Sequence, residues 1–405
     1  MKQLVFRICG FLLFAVILIA AIVTSLGQNG GSYSDMAEML EGEPSVRSGA
    51  VYYNRLTKKQ QYIYDAVVKA AESLEYTTEQ MPFVAEMPDI TAASNAILND
   101  LPEYFYIDAD GFSLGEYKYT EIISEEETKE VSGESIIDEK YTCLMIPYTE
   151  TMEELKLKKT RLSAAISKSQ SLVSELENDL DKQTALHDYI ISICEKSQSG
   201  ANCSNVYGAL VEGEANSEGY HKAFKLILNR AGIISHLVYG EVGGARSVWC
   251  TALINDKYYN TDVYEDDIDK QFDDESFRGA VTHAYMNLSD EAISATHKNK
   301  SDELPKCTDG ETYYTANKLV CANEGMTEKL ISEKLSDLIK YKRRTIELYC
   351  TYDVTESDVE TYIFRQFEML YPDYTCECKM IKPKASFDAY TIIINYLPKT
   401  AENAN

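Results

Sequence analysis

Two extended runs, 246–254 and 257–264, are separated by nothing but Asn255-Asp256. A two-residue loop of that composition closes a β-hairpin and fixes its register. With residue 254 opposite 257, residue 249 faces 262, and residues 247 and 262 become diagonal neighbours on one face. Diagonal Cβ atoms stand roughly 7–8 Å apart, a gap that an imidazole spans and a serine hydroxymethyl does not. The opposite face presents Val248, Cys250, Ala252 and Ile254. It reads as core, with Cys250 an inert buried thiol.

A second informative stretch lies upstream. It reads Tyr207-Gly208-Ala209-Leu210-Val211-Glu212-Gly213-Glu214-Ala215-Asn216-Ser217-Glu218-Gly219-Tyr220 and leads into a helical run from Lys222 to Arg230. Ser217 stands where that helix begins. As a helix cap, a serine is worth about 1 kcal/mol. As a nucleophile, it needs a general base within about 3 Å.

Together the two stretches resemble the core of the bacterial transglutaminase-like (transglutaminase/protease-like) superfamily. In that family a GALV-x-G-x-A-x-C-x-GY helix start supplies a nucleophilic cysteine. A HAW strand supplies the base, and a K-W/Y-Y-N-x-D strand supplies the orienting aspartate. This chain keeps the frame, with Ser217 at the cysteine position, Ser247 at the histidine position, and Asp262 at the aspartate position. The resemblance implies triad-equivalent positions that have lost their chemistry.

Other segments extend the likeness. Asn99-Asp100-Leu101-Pro102-Glu103-Tyr104-Phe105-Tyr106 is similar to a D-x-PE-x-F segment and is expected to end in an aromatic strand. His187-Asp188 matches the HDY helix that precedes the core, where the pair packs and caps. Met286-Asn287-Leu288-Ser289-Asp290-Glu291 resembles the closing FNLSDEE. The implied fold class is α+β, with a papain-like core in which the helix bearing the nucleophile position packs on an antiparallel sheet. A helical N-terminal region precedes that core and a small α+β C-terminal unit follows it.

Only five histidines could replace the missing base. His221 shares a helix face with Ser217, and its imidazole is expected to lie along the helix, at or near the surface, rather than beside Asp262. Trp249, Tyr220 and His221 are candidates for the cleft. Asp262 is expected to accept hydrogen bonds from Ser247, Trp249 or backbone amides. Cys203 precedes the site and could face it. No cofactor is expected, and no paired CxxC knuckles point to a structural metal.

The formal net charge is -26, from 65 acidic and 39 basic residues. Such a surface repels phosphate backbones, which argues against nucleic acid as a partner. Lys2 and Arg7 precede an uncharged run from Ile8 to Gly27, long enough to cross a bilayer and longer than most cleavable signals. Acidic residues follow it, so the remainder is expected outside the cytoplasm, anchored by one transmembrane helix or, alternatively, secreted after cleavage. In an oxidising compartment Cys307 could pair with Cys321, and Cys350 with Cys376 or Cys378.

The expected layout is an anchor at 1–27, a linker at 28–50, an N-terminal α/β region at 51–150, the core with its leading helices at 151–304 and a C-terminal domain at 305–405. Thr57 with Gln60, Thr151 with Glu154 and Thr355 with Asp358 read as helix starts. The leading functional expectation is a catalytically inactive envelope module that binds a peptide, a cell-wall component or another envelope protein. Two alternatives stay open: an active hydrolase or acyltransferase using Ser217 with an unforeseen base, and a spacer that presents the C-terminal domain.

Overall fold

The computed structural model describes residues 44–79, 81, 83–118, 140–268, 281–301, 304–310, 312–336, 338, 340, 345–382 and 389–399. The chain divides into two compact units, Met1–Ile97 with Ile107–Thr149, and Leu98–Tyr106 with Glu150–Asn405. The apolar run from Ile8 to Gly27 lies outside the described residues. Among those residues no helix is long and apolar enough to cross a membrane.

In the first unit, Thr57 and Gln60 form a reciprocal capping box that opens α1 (Lys58–Glu72). Ile63, Val67 and Ala70 recur at helical spacing and are buried. Leu74, which the same periodicity includes, lies past the helix end at positive φ. Helix α2 (Met87–Asp100) follows, then an antiparallel pair of β1 (Ser113–Lys118) and β2 (Lys140–Met145). The expected aromatic strand after α2 does not form. In the Leu98–Tyr106 segment, which belongs to the second unit, Pro102 instead fixes the first position of a 3-10 turn, Pro102–Tyr104, and its missing N–H suits that place.

The second unit opens with α3 (Met152–Val173), started by the Thr151–Glu154 capping box, and α4 (Asp179–Ile193), capped by Asn178. Short strands β3 (Glu195–Lys196) and β4 (Glu214–Ala215) pair in parallel and frame a π-helical turn, Gly208–Glu212. Helix α5 (Ser217–Arg230) then lies on an antiparallel sheet of β5 (Ser235–Val242), β6 (Ala245–Ile254), β7 (Lys257–Thr261) and β8 (His297–Asn299). The order is β7-β6-β5-β8. Between β7 and β8 come the short helices α6 (Val263–Asp266) and α7 (Asp290–Ile293). The hairpin register is Ile254↔Lys257 through Cys250↔Thr261, and Asn255 and Asp256 both adopt positive φ. That is the type I′ geometry that matches the strand twist. One core cluster joins Leu186 and Ile190 of α4, Phe224 and Ile227 of α5, and Leu237, Val248, Cys250 and Ala252 of the sheet. Each large side chain so buried contributes roughly 1.5–3 kcal/mol. The helix-on-sheet layer fixes where α5 begins.

The C-terminal part adds α8 (Tyr313–Ala316), β9 (Val320–Cys321), α9 (Glu324–Ser336), β10 (Thr345–Cys350), α10 (Glu356–Leu370), β11 (Tyr374–Ile381) and β12 (Ala389–Pro398). Its sheet order is β11-β12-β10-β9, with β9 parallel to β10. The buried face of α10 is Val359, Ile363 and Phe367, whereas Leu370 is exposed. The described cysteines are free thiols. Neither expected pairing is seen: β9–β10 register sets Cys321 opposite Cys350, while Cys376 and Cys378 face Tyr396 and Ile394 across β11–β12.

Candidate functional site

The site grows from the first turn of α5. Asn216, not Ser217, is the cap: its Oδ1 accepts the Gly219 N–H at 3.1 Å. Its amide Nδ2 donates to Ser204 Oγ at 2.7 Å, and its backbone N–H donates to the Cys203 carbonyl at 2.9 Å. The helix start is therefore fastened to the 202–205 loop, with Cys203 half-buried behind the cap. Ser217 becomes the first residue inside the helix.

From there Ser217 lines a cavity of about 500 Å³ that it shares with Ser247, Asn216, Ser204, Tyr264 and Glu265. Ser247 comes from β6, opposite Gly240 of β5. The two serines at the nucleophile and base positions thus lie on the walls of one cavity. Another groove of about 730 Å³ runs along α3, lined by Tyr104, Tyr106, Leu162 and Ile166 among others. It contains neither serine.

Asp262 stands behind this wall. It leaves the sheet at the end of β7 and caps α6, its Oδ1 accepting the Glu265 N–H at 2.9 Å. Its Oδ2 lies 2.9 Å from His297 Nε2, while His297 Nδ1 lies 2.7 Å from Thr296 Oγ1. His221 Nε2 approaches Oδ1 at 3.4 Å. Burial opposes the Asp262 charge, but the hydrogen bonds from His297 Nε2 and the Glu265 N–H help hold the carboxyl below its ordinary value. Of the donors expected for Asp262, a backbone amide, the Glu265 N–H, is used, whereas Ser247 and Trp249 are not. Trp249 Nε1 donates to Asn260 Oδ1 at 3.0 Å instead, because the strand ends before residue 262.

His221 departs furthest from expectation. It is fully buried and beside Asp262, since the helical period turns it inward with Tyr220 and Phe224. Its Nδ1 lies 2.7 Å from the Ser217 carbonyl oxygen and its Nε2 accepts the Val263 N–H at 3.1 Å. Those two contacts require a neutral ring protonated at Nδ1, and burial lowers its pKa accordingly. The imidazole therefore meets the Ser217 backbone and leaves the hydroxyl untouched.

Tyr220 and Trp249, expected along the cleft with His221, are likewise buried. The Tyr220 hydroxyl donates to Asp267 Oδ2 at 2.8 Å and is 2.5 Å from the Cys194 carbonyl. The Trp249 ring meets His297 edge-on, with centroids 4.9 Å apart. All three side chains form structure beneath the site rather than its surface. Cys250 is buried as expected, and burial pushes its thiol up to about 12.

Two residues that the sequence did not single out belong here, one of them among the five histidines. His297, the partner of Asp262, lies 35 residues further along, on a strand too short to show a pattern. Glu265 lies on the cavity wall, and burial together with the Asp262 charge raises its pKa. Its signal was spacing alone, as the third residue after an aspartate that caps a helix. Chemically, the cavity offers hydroxyls, the Asn216 and Gln198 amides, the Arg246 guanidinium and the Glu218 and Glu265 carboxyls, of which Glu265 has its pKa raised. Among the described residues neither serine hydroxyl is hydrogen-bonded to an imidazole.

No protein-family model matches the chain, and no curated protein matches it. Among solved structures it is similar to a TGase at 12% identity and TM-score 0.25, covering 31% of this chain and 41% of that one. It is also similar to an inferred protease from Parabacteroides distasonis (12% identity, TM-score 0.22, 38% of each chain). A third is an inferred cysteine protease from Cytophaga hutchinsonii (12% identity, TM-score 0.23, 38% of this chain and 61% of that one). The chain thus spans less than two thirds of the length of each.

Proposed function

We propose that this chain is a transglutaminase-like protein, anchored in the membrane by Ile8–Gly27 with its bulk outside the cytoplasm, that binds a peptide or cell-envelope segment without cleaving it. One observation supports this most directly. Ser217 and Ser247 share a cavity, while the imidazoles of His221 and His297 are engaged behind it by the Ser217 carbonyl, the Val263 N–H, Thr296 and Asp262. An alcohol whose proton has no acceptor is a weak nucleophile. The serines, Asn216 and Ser204 supply donors and acceptors suited to a peptide backbone.

Glu265 favours a second reading, that of a hydrolase or acyltransferase in which Ser217 attacks and Glu265 takes its proton. A carboxyl whose pKa burial raises, on the wall of a cleft, is the kind of group that acts as a base. Purified chain and Ser217→Ala, assayed for hydrolysis and transamidation of envelope peptides, separate the readings. No turnover by either protein is expected, together with peptide capture that is lost when Ser247→Trp fills the cavity. Turnover that stops with Ser217→Ala overturns the binding reading in favour of the enzyme. Capture that survives Ser247→Trp moves the interaction elsewhere and makes the core a spacer.

A further inference from the structure

His187 and Asp188, read from sequence as a packing and capping pair, meet a third residue in the fold. The His187 ring is fully buried and stacks near that of His283, with centroids 4.8 Å apart and planes at 25°. Asp188 Oδ1 lies 3.0 Å from His187 Nδ1 and 2.9 Å from His283 Nε2. The three donor atoms all fall within 4.8 Å of one another.

What stands behind the rings is more telling. His187 Nε2 lies 3.1 Å from Asp266 Oδ2, and His283 Nδ1 lies 2.6 Å from Glu347 Oε2. Both carboxylates are themselves fixed. Asp266 Oδ1 accepts the Tyr285 N–H at 2.9 Å. Glu347 Oε1 accepts the His283 N–H at 2.8 Å, the Tyr314 hydroxyl at 3.1 Å and the Thr282 hydroxyl at 3.3 Å. Tyr313 stacks on the His283 ring, with centroids 4.0 Å apart and planes at 11°.

We infer that His187 Nδ1, Asp188 and His283 Nε2 form a binding site for a divalent transition metal of the zinc class, with one coordination position open to solvent. Two imidazoles and a carboxylate are the donor set such ions favour, and three protein ligands leave a fourth place for water. An imidazole that binds a metal through one nitrogen is held by a carboxylate on the other, which sets its tautomer and aims its lone pair. Both rings here have that rear carboxylate. The rings are rigid because they are buried and stacked, whereas the Asp188 side chain is 47% exposed and leaves a route in from solvent. Ligand atoms of a tetrahedral zinc site stand ~3.3 Å apart, so the donors need to close by no more than ~1.5 Å. Three carboxylates around two imidazoles also supply an excess of negative charge that a dication offsets. The ion would tie α4 to the segment whose His283 is hydrogen-bonded to Glu347 of β10.

The test uses the full-length chain, purified in non-ionic detergent and stripped with chelator, then titrated with Co²⁺ and Zn²⁺. One equivalent of Co²⁺ is expected to give the intense visible absorption of four-coordinate cobalt, displaced by one equivalent of Zn²⁺. Asp188→Ala, at a half-exposed position, removes a ligand and in folded protein should lower Zn²⁺ affinity at least about tenfold. Glu347→Gln keeps all three ligands but alters the support behind one ring, and should weaken binding about 10–100-fold. X-ray absorption at the zinc edge of the unaltered chain should show two imidazoles and needs no variant. The inference is overturned if no saturable single equivalent binds, if the edge spectrum shows fewer than two imidazoles, or if folded Asp188→Ala binds as tightly as the unaltered chain.

Discussion

Ser217 faces the cavity because Asn216 took the capping role one residue earlier. The position inherits the field of the helix N-terminus without having to satisfy it, which is where a thiolate would be stabilised. Ser217→Cys should therefore be alkylated by iodoacetamide at pH 7 far faster than buried Cys250, whose thiol is pushed up to about 12. Adding Ser247→His should raise the rate again by about tenfold or more, since an imidazole on the opposite wall can take the proton. Equal rates for the single and double variants would show that side chains at 247 do not reach 217. The neighbouring Asp262 has a different, structural debt: its oxygens accept from His297 Nε2 and the Glu265 N–H in a fully buried setting. Asp262→Ala strands both donors and should cost about 3–5 kcal/mol in urea denaturation. A loss below about 1 kcal/mol would mean that the network is dispensable.

At the scale of elements, Gly208 of the π-helical turn and Gly219 of α5 are set by close approach. A Cβ at Gly219 would lie 2.3 Å from the Cys203 carbonyl oxygen, and one at Gly208 would lie 2.2 Å from that of Asn202. Both elements press on the same loop, and neither carbonyl belongs to a flexible side chain that could yield. Gly219→Ala should cost about 1–3 kcal/mol and slow alkylation in the Ser217→Cys background by shifting the helix start. Gly310→Ala meets nothing within 4 Å and should stay within about 0.5 kcal/mol, provided the effect at 219 is steric. The sequence displayed these glycines as part of a pattern, and only the three-dimensional contact explains them. The hairpin and the three capping boxes were legible because each is decided within a few residues. The inward turn of His221, the His297–Asp262 contact and the Cys321–Cys350 register were not, because packing between distant segments decides them. The missing strand after α2 failed for a local reason, Pro102, which aromatic enrichment had outweighed in the reading.

Stability of the whole molecule gathers these buried groups into one pH dependence, and Lys225 gives it a separable component. Its ammonium is buried within the second unit, where Nζ donates to the carbonyl oxygens of Asn99 at 2.9 Å and Asp100 at 3.0 Å. Burial lowers its pKa, with the Asp100 charge opposing only in part. Between that depressed value and the ordinary lysine value of about 10.4, the unfolded chain holds a proton on this side chain that the folded chain has released. Unfolding then takes up a proton, so the free energy of unfolding rises with pH, by at most about 1.4 kcal/mol per unit. Below the depressed value both states are protonated and the slope vanishes. Buried thiols and tyrosines with raised pKa values, Cys194 and Cys250 among them, impose the opposite slope at high pH, because folding keeps protons that the unfolded chain loses. The two effects separate in a difference measurement. Urea unfolding of the unaltered chain and of Lys225→Met, followed from neutral pH to pH 10, should show the variant's relative advantage shrinking once pH passes the depressed value. A difference that stays constant over that range would mean that Lys225 remains charged in the folded state, held by its two carbonyls and Asp100 against the cost of burial.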